Sequence, residues 1–163
     1  MLLLLTGPVG SDAIDFSLGC LTSFLLHESA HWIVGNSTGE LIYKADQDGF
    51  PKWIYYGSDK GLFKTASAGI LTDCLMREYY LLKRPNSDIW KGIFWYSIFH
   101  NLYYSFSDGG DIKALSEASG IRIGTFHTIL AILTLADLYR YKNGNLNIGI
   151  FTKGLSLFYT ITL

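Results

Sequence analysis

Two histidines four residues apart, with a glutamate directly after the first, make His27-Glu28-Ser29-Ala30-His31 the stretch with the clearest chemistry. On an α-helix, residues i and i+4 project from one face, so both imidazoles can reach a single ion. Zinc accepts such ring nitrogens at about 2.0–2.1 Å. Glu28 stands where a general base should, next to a water held by that ion. Zinc brings the pKa of such a water toward neutrality, so hydroxide becomes available at physiological pH. The chain has only four histidines and four glutamates, so the pattern is rare by chance. Its flanks, Phe24, Leu25, Leu26, Trp32, Ile33 and Val34, are apolar, and there His and Glu are costly unless paired or metal-bound. The expectation is a Zn²⁺ site with His27 and His31 as ligands and Glu28 as base.

A catalytic zinc usually takes a third protein ligand and keeps one open position. Three acids compete for that place. Glu78 would suit a gluzincin-like arrangement, but Arg77 and Lys83 are alternative partners for it. Asp73 lies in an apolar stretch beside Cys74. Asp108 opens Asp108-Gly109-Gly110, where glycines allow a tight turn that brings a carboxylate close to another helix. His100 reads as a helix residue that could also orient a ligand, and His127 as packing or helix–helix hydrogen bonding. Cys20 and Cys74 sit in apolar segments without partners at metal-ligand spacing, and read as small core residues.

The elements that must position these residues are mostly apolar helices. Residues 12–35 carry the motif, with Ser11 or Asp12 as N-cap and Gly35 as the stop. Leu41-Ile42-Tyr43 and Trp53-Ile54-Tyr55-Tyr56, around a turn at Asp46-Gln47-Asp48-Gly49, read as a β-hairpin. A second helix covers 63–83, where small residues from Thr65 to Gly69 favour close packing and Pro85 prevents continuation. A third, rich in aromatics, runs from about Asp88 to Phe106, a short polar helix spans Ile112–Ser119, and residues 121–139 form another apolar helix. The last segment, Ile148–Leu163, is apolar but short.

Apolar residues make up 49% of the 163, and charged ones 17%, against roughly 25% in a typical soluble domain. These values, with helix lengths near the ~20 residues of a bilayer span, give the fold expectation. It is an all-α membrane protein, a polytopic bundle of about four apolar helices with a small β-hairpin after the first. The chain is long enough for one domain over residues 1–163. With a net charge of −1, no basic nucleic-acid surface is expected. Met1–Pro8 lacks a basic stretch and its apolar run is short, so no cleavable targeting sequence is read there.

The segment Asn101-Leu-Tyr-Tyr-Ser-Phe-Ser-Asp108-Gly109-Gly110, taken with an H-E-x-x-H on an apolar helix, resembles the site-2 protease family of intramembrane zinc metalloproteases. That family carries an Asn-Leu-x-Pro segment leading into Leu-Asp-Gly-Gly. Here the prolines are absent, Ser107 stands where leucine is usual, and the spacing is one residue short. The resemblance implies an integral membrane zinc endopeptidase acting on a transmembrane segment of another protein, within a lipid bilayer. It implies His27, His31 and Asp108 as ligands, Glu28 as base, and Asn101 as a group that holds substrate or polarises a carbonyl. Asp111 is a rival for the third ligand, should the register slip. Two other readings stand beside it: a soluble gluzincin-like peptidase using Glu78, and a zinc-binding protein of the same fold without turnover.

Overall fold

In the computed structural model, residues 11–45, 51–143, 146–152 and 155–161 are described. The order is α1 (Ser11–Thr38), β1 (Gly39–Ala45), β2 (Pro51–Gly57), α2 (Asp59–Lys83), α3 (Asp88–Tyr104), α4 (Gly110–Ser119), α5 (Ile123–Asn143), β3 (Leu146–Thr152) and β4 (Leu155–Ile161). Both strand pairs are antiparallel two-stranded sheets. The turn read at Asp46–Gly49 and the start at Met1–Pro8 lie outside the described residues.

Small residues decide how the helices meet. A Cβ on Gly19 would strike the backbone of Ile89, and one on Gly92 would strike that of Phe16, so α1 and α3 cross with almost no side chain between them. Gly35 does not stop α1, which runs on to Thr38. It makes room for Leu41 and Thr65, at 3.0 and 3.2 Å from where its Cβ would stand. The side chain of Ser58 caps α2 by accepting from Gly61 N at 3.2 Å, and the helix ends at Arg84 in the left-handed region just before Pro85.

Two apolar clusters flank the middle of the bundle. Ala66, Ile70, Tyr104, Ile112, Leu115 and Leu130 form one, and Tyr80, Leu81, Phe94 and Ile98 the other. Between the helices runs a polar network. Arg77, fully buried, donates to Asp137 Oδ2 (2.7 Å) and to the Ser97 carbonyl (3.1 Å), and Arg140 holds Glu78 bidentately at 2.6 and 3.0 Å.

No helix among the described residues is long and apolar enough to cross a membrane. This corrects the polytopic bundle, the transmembrane segments and the integral-membrane location expected from composition. The physical reason is the spread of polar as well as charged residues through the long helices. Serines, threonines and glycines dilute α1, and Thr125, His127, Thr128, Thr134, Asp137 and Arg140 dilute α5. α1 carries Asp12, Asp15 and Glu28 besides its histidines, and α2 carries Asp59, Lys60, Lys64, Asp73, Arg77, Glu78 and Lys83. α3 is 17 residues long, short of the ~20 a span requires. The terminal apolar segment pairs as β3 and β4.

Candidate metal centre

α1 presents Gly19, Ser23, His27, His31 and Gly35 on its buried face, a strict i, i+4 series. His27 and His31 therefore enter the interior one turn apart, with their Nε2 atoms 3.0 Å from each other. The carboxylate that meets them is Asp111, whose Oδ2 lies 3.3 Å from His27 Nε2 and 3.0 Å from His31 Nε2. Asp111 sits in the first turn of α4. Gly110 precedes it at φ +57°, a left-handed conformation that favours glycine. That turn folds the start of α4 back onto Tyr104, whose hydroxyl donates to Asp111 Oδ2 at 2.9 Å.

The hydrogen-bond partners fix which ring atoms carry hydrogen. His31 Nδ1 faces the Thr65 carbonyl at 2.7 Å, and a carbonyl only accepts, so Nδ1 bears the proton. His27 Nδ1 donates in the same way to Asp73 Oδ2 at 3.1 Å. In the neutral rings both Nε2 atoms are then bare lone pairs. Three acceptors, two imidazole nitrogens and a carboxylate oxygen, converge within 3.0–3.3 Å. Corners of a tetrahedron around a zinc at 2.0–2.1 Å lie about 3.3 Å apart. The donor set fits a metal ion in chemistry and in spacing.

α2 supplies the surroundings at i, i+4 and i+8. The Thr65 carbonyl holds His31, Asp73 holds His27, and Gly69 between them leaves space for both rings. A Cβ on Gly69 would come within 2.6 Å of His27 Nε2 and closer still to His31. Asp73 Oδ2 also accepts from His100 Nδ1 at 3.0 Å. Among the described residues its Oδ1 is buried without a partner. His27, Asp73 and His100 form a second set of three that could hold an ion. There, however, each Nδ1 already has a carboxylate oxygen to receive its hydrogen. In the first set, the Nε2 atoms of the neutral His27 and His31 rings face Asp111 as lone pairs.

The electrostatics favour positive charge at this point. Burial opposes charge on His27, yet the Asp111 and Asp73 carboxylates outweigh it and raise its pKa to about 10. Burial also opposes charge on His31, and Asp111 again outweighs it. Burial would raise the pKa of Asp111, but the two imidazoles hold it well below the usual carboxylate range. Two carboxylates and two neutral imidazoles balance one divalent cation.

The expected residues separate clearly. His27 and His31 come together, and Glu28, half-buried, accepts from the Trp53 indole at 2.6 Å. Burial, then Asp111 at Tyr104 and Asp73 at Tyr96, disfavours ionisation of these phenols, and the charge of Glu28 adds to it. Asp108 is not brought to the histidines. Its side chain is 84% exposed, 3.8 Å from His127 Nε2, and Asp111 stands in the place expected for it. The turn of α4 explains this, because a carboxylate one residue after the glycines points back and one before them points out. Glu78 is committed to Arg140 and is no ligand here. Asn101 is fully buried, and in the amide orientation that satisfies both groups its oxygen accepts from the Arg77 guanidinium. It faces α2 and the Arg77 network, with no hydrogen bond to the histidine cluster. Gly69 reads from the sequence only as part of a small-residue stretch, and no motif or spacing points to the roles of Tyr104 and Trp53, since these depend on packing across elements. The chain matches no protein-family model, no curated protein and no solved structure.

Proposed function

We propose that this chain is a zinc-dependent endopeptidase in which His27, His31 and Asp111 hold the metal and Glu28 is the general base. The observation that carries the reading is the meeting of three lone-pair donors at tetrahedral spacing, with the half-buried Glu28 next to His27 in the chain. Two histidines and one carboxylate form a set that zinc takes in catalytic sites. Zinc, when bound, supplies a Lewis acid and makes water acidic near neutral pH. Glu28 takes a proton from the water that attacks the peptide carbonyl, and passes it to the amine as the C–N bond breaks. Tyr104, with its pKa raised by burial and by Asp111, stays protonated and fixes the Asp111 carboxylate by donation. Asp73 and the Thr65 carbonyl hold both imidazoles with Nε2 turned inward.

The peptide as substrate rests on the H-E-x-x-H spacing and on the resemblance to the site-2 proteases, whose order of motif helix, hairpin and later acidic ligand is kept. The acid differs, since it follows the two glycines instead of preceding them.

The test is turnover of a quenched fluorescent peptide mixture by zinc-loaded protein. Wild type is expected to cleave, and Glu28→Gln is expected to keep its zinc and lose roughly 10²–10⁴-fold in rate. Zinc-loaded wild type as inert as Glu28→Gln would replace this reading with a zinc-binding protein that has no turnover.

A further inference from the structure

We propose that Trp53 is the positioning residue of Glu28, so that the β1–β2 hairpin sets the orientation of the base. The inference rests on the endopeptidase reading and adds to it a role for the hairpin. Residues two apart share a face of a strand, and Tyr43 and Trp53 are cross-strand partners, as are Leu41 and Tyr55. Leu41, Tyr43, Trp53 and Tyr55 therefore lie on one side of the hairpin. That side is seated on the helices by two contacts. Leu41 is buried against Gly35, and the Tyr55 hydroxyl donates to the Thr38 carbonyl at 2.8 Å. The Tyr55 ring end lies where Gly39, Gly57 and Gly61 leave no room for a Cβ, so it cannot shift without moving backbone.

Two residues before Tyr55, on the same face, Trp53 directs its indole nitrogen at Glu28 Oε2, 2.6 Å away. Tyr43 packs edge-on against the indole, with ring centres 4.5 Å apart at 89°, and limits its rotation. An indole N–H can only donate, and a bond to a carboxylate is charge-assisted and directional. A glutamate on a helix otherwise samples several rotamers. Trp53 thus selects one orientation of the base, while the other carboxylate oxygen is left to handle the proton.

Trp53→Phe keeps a ring for Tyr43 and removes only the donor. We expect zinc content and thermal midpoint to match wild type, KM to stay within about twofold, and kcat to fall roughly 10- to 100-fold. In the Glu28→Gln background the same substitution is expected to have no further effect. A readout independent of turnover is the indole ¹⁵N–¹H spectrum, in which the Trp53 resonance, one of four, should move in Glu28→Gln while the other three stay. Full kcat in Trp53→Phe, or an indole resonance indifferent to Glu28→Gln, overturns the role of Trp53. Zinc-loaded wild type without turnover overturns the endopeptidase reading and this inference with it, whereas the indole result alone leaves that reading intact.

Discussion

Each ligand at the proposed centre is held by one further group, and these groups differ in what their loss should do. Asp73 is the most exposed to test, because it fixes His27 through a single oxygen it shares with His100. Asp73→Asn keeps the shape and weakens the acceptor, and is expected to lower zinc affinity about 10–100-fold in a chelator competition. An unchanged affinity would mean that His27 is oriented by packing alone. The histidine cluster also has a pH signature. A His27 pKa raised from 6.5 to about 10 contributes stability that is complete below pH 6.5 and is lost as pH rises through about 10. The thermal midpoint of chelator-treated protein should fall across that window, and that of zinc-loaded protein should stay level.

At the scale of elements, the site is a product of three helix surfaces with the side chains pared away. Gly69→Ala would place a methyl against both imidazoles. Zinc binding is expected to weaken by at least an order of magnitude, comparable to loss of an orienting partner, with helix content by circular dichroism intact. Gly92→Ala acts elsewhere, forcing α3 off the backbone of α1 at Phe16. It is expected to cost about 1–3 kcal/mol in denaturant unfolding, with Gly19→Ala similar. The motif helix, the hairpin strands and the short α4 could be read from the chain because their signals are local: a 3.6-residue pattern, alternation around a polar turn, and glycines before an amphipathic run. The choice of Asp111 over Asp108 was not legible, since three residues of turn geometry decide it and φ at Gly110 leaves no mark on composition. Nor could the pairing of Glu78 with Arg140, 62 residues away, be read from spacing. Asn101 is buried by its partner Arg77, a contact that a motif cannot reveal.

For the whole molecule, apolar content was a poor guide to whether a helix could span a membrane. The interior holds Ser23, His27, His31, Asp73, Arg77, Ser97, Asn101, Thr134 and Arg140, while Leu25, Ile33, Leu75 and Leu135 are exposed. Tyrosines add to the apolar fraction though each carries a hydroxyl, and polar and charged residues together interrupt the long helices, so that none among the described residues is apolar over a membrane's width. Because the proposed ligands come from α1 and α4, an ion would tie the first helix to the second half of the chain. Zinc at a thousand times its Kd should then add about 4 kcal/mol to unfolding free energy, in wild type and not in His31→Ala.

The most direct measurement is zinc content after dialysis, comparing wild type with Asp111→Ala and Asp108→Ala. Here wild type and Asp108→Ala should each hold one zinc, and Asp111→Ala none. Zinc retained by Asp111→Ala and lost by Asp108→Ala would contradict the centre described and return the third ligand to the residue before the glycines.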